Sequence, residues 1–596
     1  SPPFSAPMPF PKNMQEEAFG SAKWNDPNFT KDMREKDMYQ NWIFTKTEIF
    51  SKNMKVTKRN RNCTLIGRPG TGKSRYWLIP NILNSMAETI IVTDPKEEIL
   101  KATGMSLKKK GYDIRVLNIK DKWRSDHYNP LKYIRKLPKE AFLLDLDSDE
   151  SRQDIVQELM DEGRNIAEDD VMNLINTIME NTKSETIESN TGDPFWEKAE
   201  MVFLQALFYY VIFNYPIEER NFRKIMELIR KGEPDKEGNS ELRNLFDEWE
   251  SRDPNNIGIK QWKHFVVSAK SPKMMSTIIM TASARLAPFN LREVDEMTYN
   301  DTMELDRIGM PLNADEGEHG RVAYFIISDP NSNAFNFLMN IMYSQIFTII
   351  DQNAQANGGR LATPCNIYMD EFRQQGAINR FLEFWAYCRG LDCGITIILQ
   401  SLSQLKKIYK DEWETALDCC DYIFFLGSRS KETLEYMSTM LGKQTLYKKS
   451  SGRTYSRQGS SSQNWDVYGR ELATMDELAE LEAGHGILLM AGTKPFYSEL
   501  YDLKSHDDYK EMWEAWTEQD GTKDPEFKKT KEWKENHAKL YDHLQEMKKP
   551  RKSKTKQQQE LMKAIGVPCT VQEPFEMKVV TEAQLEAKYG KGKLKA

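Results

Sequence analysis

Cys63-Thr-Leu-Ile-Gly67-Arg-Pro-Gly-Thr-Gly-Lys-Ser74 decides how the rest of the chain is read. A short apolar run enters a glycine-rich turn, and a helical pattern, Ser74–Met86, leaves it. The turn fits G-x-x-x-x-G-K-[ST] in its confirming context of strand, loop and helix. Gly67, Gly70 and Gly72 are expected to take positive φ and curl the backbone into a nest of N–H donors. That nest and the helix N-terminus attract phosphate. Nucleotide contacts are therefore expected from Gly67, Arg68, Pro69, Gly70, Thr71, Gly72, Lys73 and Ser74. Lys73 would reach the β- and γ-phosphate oxygens, and the Ser74 hydroxyl would join a Mg²⁺ shell.

Outward from this loop, Glu88–Thr93 and Asp113–Asn118 are strand-like, and helical patterns separate them. Alternating strands and helices imply βαβ units and a parallel sheet. From near Lys132 to about Gly320 the pattern is almost wholly helical. Strand-like runs then return at Arg321–Ser328, Asn366–Met369, Gly394–Leu399, Asp421–Leu426 and His485–Met490. The expected fold class is α/β: a P-loop domain split by a large all-α insertion. The expected divisions are a lead-in at 1–60, the first part of the nucleotide-binding domain at 61–131 and the all-α domain at 132–320. The second part follows at 321–504 and a charged helical extension at 505–596. Lys448–Trp465, rich in Ser and Gly, reads as a mobile loop.

Composition bounds the partners. The 596 residues carry 83 Lys+Arg against 90 Asp+Glu, a net charge of −7. A uniformly basic chain is excluded, so nucleic acid must meet a local patch or a pore lining. Lys55–Arg61, Lys108–Lys110 and Lys548–Lys556 are basic stretches that also suit solvated faces. The longest apolar run, Met201–Phe213, is broken by Gln205 and falls short of the ~20 residues of a spanning helix, so it reads as a buried helix. Seven scattered cysteines without Cys-x-x-Cys suit free buried thiols in a reducing compartment.

A phosphate loop needs a partner strand ending in acid. Asn366-Ile-Tyr-Met-Asp370-Glu371 supplies it. Asp370 would hold Mg²⁺ through water, and Glu371 would orient and polarise the attacking water. No Asn-Lys-x-Asp guanine-reading tetrad follows, which favours ATP over GTP. Gln400 ends the apolar run Ile395–Leu399, so a parallel sheet would bring it to the carboxyl edge, where it suits sensing of a γ-phosphate or an ordinary capping role. Arg389, just before that run, falls at the opposite edge and suits a neighbouring subunit's nucleotide as an arginine finger, or an ordinary surface position.

Several further motifs stand in order. They are Gly20-Ser-Ala-Lys-Trp24, Pro80-Asn-Ile-Leu83, Asp94-Pro-Lys-Glu-Glu98, Tyr128-Asn-Pro-Leu131, Asp193-Pro-Phe-Trp-Glu-Lys-Ala199, Phe425-Leu-Gly427 and Arg470-Glu-Leu-Ala-Thr-Met475. Together with the phosphate loop and the acid pair, they resemble the type IV secretion coupling proteins, the TraG/TraD-like ATPases of conjugative DNA transfer, over about residues 18–503. Two positions depart from the family pattern: Glu97 stands where Gly is usual, and Met475 where Pro is usual.

The resemblance implies a RecA-like motor domain with an all-α domain, ATP and Mg²⁺ as cofactors, and a hexamer that hydrolyses ATP between subunits. It gives Lys73, Glu371, Arg389 and Gln400 catalytic roles, and Ser74 and Asp370 the metal. The implied partners are single-stranded DNA, the relaxase with accessory DNA-processing proteins, and the channel ATPases and inner-membrane components of a type IV secretion system. The implied place is the cytoplasmic face of the bacterial cell membrane, with an N-terminal transmembrane anchor absent from this sequence. Two rivals are a nucleotide-gated docking receptor that does not pull DNA processively, and an FtsK-type DNA pump, which the helical insertion and its Phe195-Trp196 pair disfavour.

Overall fold

The computed structural model describes residues 19–134, 150–182, 194–312, 321–329, 335–453 and 461–511. The described strands are β1 (Asn41–Ile43), β2 (Ile49–Ser51), β3 (Cys63–Ile66), β4 (Thr89–Thr93), β5 (Asp113–Asn118), β6 (Val322–Ile327), β7 (Cys365–Met369), β8 (Cys393–Leu399), β9 (Tyr422–Phe425), β10 (Lys443–Arg453), β11 (Ser461–Glu471), β12 (His485–Met490) and β13 (Phe496–Glu499). Nine of them form one sheet in the order β13-β12-β9-β3-β8-β7-β4-β6-β5. β3 runs parallel to both neighbours, β8 and β9, and β7 runs parallel to β8 and β4. β12 and β13 close one side antiparallel. The central strands β3, β4, β7, β8 and β9 are buried at every position. That explains why they read as continuous apolar runs and not as alternating ones.

The described residues divide into two compact units. One gathers 19–114, 307–325 and 357–511, the other 115–306 and 326–356. In the first, residues expected to be a polar lead-in form the β1–β2 hairpin, which packs into the unit's core. Trp42 stacks on Trp77 at 5.7 Å, and Phe44 meets Phe50, Tyr422 and Phe424. Asn81, of the Pro80-Asn-Ile-Leu83 motif, ties the hairpin down. Its side chain accepts from the Ile43 N–H at 2.8 Å and donates to the Ile43 carbonyl at 2.7 Å.

Pro80 also explains the shape of the helix after the phosphate loop. It has no N–H and its ring crowds the carbonyl four residues back. Ser74–Leu78 accordingly forms a π-turn, with the Ile79 N–H reaching the Ser74 carbonyl, before a short α-helix at Ile79–Leu83. The expected helix to Met86 therefore ends three residues earlier.

The second unit is helical. Side-chain caps start its helices: Asn221 accepts from the Lys224 N–H, Ser240 from Arg243, Asn256 from Gly258 and Ser271 from Met274. Helix Pro194–Asn214 is its axis, with an unbroken buried run from Phe203 to Phe213. Glu200 of this helix is buried and takes a two-pronged bond from Arg285, 2.6 and 3.0 Å. Helix Asn336–Ala356 follows β6 and was expected in the α/β domain, yet it groups with the helical unit and packs on helix Glu150–Asn181. No described helix is long and apolar enough to cross a membrane.

Lys448–Trp465, expected as a mobile loop, lies largely in a β-ribbon. β10 and β11 pair antiparallel over eleven positions, from Lys443 opposite Glu471 to Arg453 opposite Ser461. The ladder consists of backbone hydrogen bonds, which a Ser/Gly-rich sequence makes as well as an apolar one. Residues 454–460 of that stretch, and the extension beyond 511, lie outside the described residues.

Candidate functional site

The phosphate loop leaves the carboxyl end of β3. Its first two N–H groups are spent on the sheet: Gly67 donates to the Leu399 carbonyl and Arg68 to Gly427, each at 3.0 Å. The Thr71 N–H turns back to the Arg68 carbonyl. The backbone N–H groups of Gly70, Gly72, Lys73 and Ser74 make no hydrogen bond among the described residues. Gly70 and Gly72 have φ of 83° and 77°, so both need glycine. Gly67 does not share this conformation, which corrects one expectation. Its glycine answers to space, because a Cβ there would lie 2.6 Å from Thr71 Oγ1 and 3.0 Å from Lys73 Cγ.

Lys73 Nζ rests on the Gly67 carbonyl at 2.6 Å. Burial lowers its pKa, while the nearby Asp370 and Glu371 charges oppose that shift. Parallel register brings those carboxylates close. β7 carries them at its tip and pairs with β4 so that Met369 faces Thr93, putting Asp370 beside Asp94 at the carboxyl edge. Asp370 is 7% exposed. Desolvation, then the Glu371 charge, pushes it up to about 6. Asp94, fully buried, is pushed up to about 7 by desolvation, although it accepts from the Glu98, Ile99 and Leu100 N–H groups. It thereby caps the helix Glu98–Lys109.

Glu371 has φ 51°, the left-handed region that L-residues avoid. Its Oε2 accepts from Gln400 Nε2 at 3.2 Å and Gln374 Nε2 at 3.4 Å, and its Oε1 lies 3.9 Å from Lys96 Nζ. Gln400, one residue past β8, thus stands at the carboxyl edge as its position in the sequence predicts.

A cleft of about 550 Å³ joins these parts. Pro69, Gly70, Gly72, Lys73, Ser74, Asp370 and Glu371 line it, together with Lys96, Glu98 and Lys101. Lys96 and Glu98 belong to the Asp94-Pro-Lys-Glu-Glu98 motif and Lys101 follows it on the helix; none of the three was expected at the site. Their signal was the Asp94-Pro-Lys-Glu-Glu98 motif, which starts at the tip of β4, the strand beside β7. Glu97, with φ 60°, shows why a glycine is usual there. Arg389 is not among the residues brought together. It is exposed on the turn Cys388–Leu391, at the opposite end of β8, roughly 20 Å of strand away. Its side chain has no hydrogen-bond or ion-pair partner among the described residues.

A phosphate loop at the centre of a mostly parallel sheet, with an acid-tipped strand two places away, defines a RecA-like P-loop protein carrying an all-α unit. Comparison with known proteins narrows the class. The model of the family described as type IV secretory system conjugative DNA transfer matches residues 26–501, and the chain belongs to that family of coupling proteins. No curated protein matches. Among solved structures, the chain is similar to the bacterial conjugative coupling protein TrwBdeltaN70 in its unbound monoclinic form. That likeness has 14% identity and a TM-score of 0.52, and it covers 82% of this chain and 97% of that one. It is similar as well to plasmid coupling protein TrwB in complex with ADP and Mg²⁺, at 14% identity, TM-score 0.54, 83% and 97% coverage. The TrwB complex with a non-hydrolysable ATP analogue gives 13% identity, TM-score 0.53, 82% and 96% coverage.

Proposed function

We propose that this chain is an ATP-hydrolysing coupling protein. It recruits relaxase-bound single-stranded DNA and hands it to a type IV secretion channel at the cytoplasmic face of the bacterial cell membrane, working as a hexamer. The observation that carries the chemistry is one cleft shared by unspent loop N–H groups, the Lys73 ammonium and the Asp370–Glu371 pair.

These residues fit a magnesium nucleotide. The four free N–H donors and Lys73 suit phosphate oxygens, and the Ser74 hydroxyl and Asp370 carboxylate are hard oxygen donors for Mg²⁺. Bound MgATP supplies an electrophilic terminal phosphorus and a stabilised leaving group. Lys73 exchanges its carbonyl partner for phosphate oxygen. Glu371, held through Oε2 by Gln400 and Gln374, orients a water and takes up its proton. Gln400 senses whether that carboxylate is engaged. Arg389, unpartnered on the far edge, serves the nucleotide of a neighbouring subunit.

The test is ATPase rate with and without single-stranded DNA, for wild type and for Lys73→Ala and Glu371→Gln. A motor is expected to be stimulated by DNA, and each variant to lose at least 100-fold, on the order of one strong transition-state contact. Folded variants with ordinary turnover overturn the reading. Wild-type turnover indifferent to DNA overturns translocation and leaves the docking receptor.

A further inference from the structure

Lys96 stands out once the cleft is mapped. It sits on the turn between β4 and helix Glu98–Lys109, facing the same space as the phosphate loop. The turn is fixed on both sides of it. Asp94 accepts three helix N–H bonds, and Glu97 is locked at φ 60°. The ammonium itself is loosely engaged. It lies 3.9 Å from Glu371 Oε1 with 62% of its side chain exposed, and solvent and salt screen exposed pairs of this kind, so the contact holds it weakly. Lys101, the next cation along the cleft, stands 3.7 Å from Glu97 instead.

We propose that Lys96 is a triphosphate-sensing residue: it binds the terminal phosphate of the nucleotide and, in moving to it, releases Glu371 Oε1 for catalysis. The proposal rests on the nucleotide-binding reading above. A rigid turn carrying a weakly paired cation is pre-organised to exchange one anion for a stronger one. A γ-phosphate brings more negative charge than a single carboxylate, whereas a diphosphate lacks the group that would compete. The exchange thus couples two events: Lys96 distinguishes triphosphate from diphosphate, and Glu371 keeps only its Gln400 and Gln374 tethers when triphosphate is present.

The experiment measures dissociation constants of the full chain for ADP and for a non-hydrolysable ATP analogue, both with Mg²⁺, by calorimetry. Lys96→Ala is expected to weaken the analogue about tenfold or more, the scale of a lost charge-assisted hydrogen bond, with ADP changed less than about twofold. Lys96→Arg should restore the preference. The same preference should be lost when Lys96→Ala is made in a Glu371→Gln background, because the contact is to phosphate and not through the carboxylate. An unchanged ratio of the two constants in Lys96→Ala overturns the proposal. So does a Lys96→Ala effect that disappears with Glu371→Gln. Wild type that binds neither nucleotide sinks the nucleotide-binding reading instead.

Discussion

Asp370 is held against its own ionisation. Its surroundings desolvate the carboxylate and set Glu371 beside it, so its folded pKa of about 6 exceeds the ordinary 3.8. A raised carboxylate pKa means that the folded state binds its proton more tightly than the unfolded state does. Ionised Asp370 therefore costs stability at pH 7, and the cost fades as pH falls from about 6 towards 3.8. Asp370→Asn is expected to stabilise the nucleotide-free protein by about 1–3 kcal/mol at pH 7, with no gain at pH 4, in denaturant titrations at both pH values. The same variant should lose Mg²⁺-dependent nucleotide binding. Under the proposed function, a trade of stability for a metal site accounts for an apolar strand that ends in two acids, a pattern that stands out in the sequence. The phosphate loop was legible for a similar reason, since few other structures require that glycine spacing. Gly67 was misread because a motif names the residue but not whether conformation or space demands it. Lys96 was missed because its place in the cleft depends on β4 lying next to β7, a sheet order that no local pattern encodes.

Elements became visible in proportion to how completely they are buried. The central strands and the helix Phe222–Arg230, with Phe222, Ile225, Met226, Leu228 and Ile229 buried on one face, were plain from apolar spacing. The β10–β11 ribbon was not, since its pairing is carried by backbone. Helix Glu150–Asn181 lies in the stretch read as almost wholly helical, but its middle, from Asp161 to Asp170, has little apolar periodicity to mark it as one continuous element. Inside the helical unit the least predictable feature is ionic. Glu200, one of two acids near the start of a mostly apolar helix, is matched by Arg285, 85 positions away, which also donates to the Thr182 hydroxyl at 2.8 Å. Both members of the pair are nearly solvent-free, so removing one leaves the other charged and unpaired. Arg285→Ala is expected to cost about 3–5 kcal/mol in urea unfolding, and Arg285→Met with Glu200→Leu to recover most of it. A loss under 1 kcal/mol in the single variant would mean that water reaches Glu200.

At the scale of the whole molecule, chain order and spatial grouping diverge. The insertion was visible as a change of pattern near Lys132, but helix Asn336–Ala356 returns to the helical unit after β6, which sequence order alone assigns to the other side. The proposed assembly bears on a different pair of residues. Gln400 and Arg389 bracket β8, one at each end, and of the two Gln400 touches a residue of the chain's own cleft, Glu371. An arginine finger must contact a transferring phosphoryl group, so Arg389 can act in that role only on another copy. Hydrolysis should then be a property of the assembly. Specific ATPase activity is expected to rise with protein concentration until subunits associate. Arg389→Ala should bind MgATP with unchanged affinity yet lose on the order of 10³-fold in turnover at every concentration. Mixing Arg389→Ala with Glu371→Gln should restore part of the activity, since a finger from one variant meets an intact carboxylate in the other. Activity independent of concentration, or a mixture as inactive as its parts, would mean that β8 carries one functional end and one ordinary surface arginine.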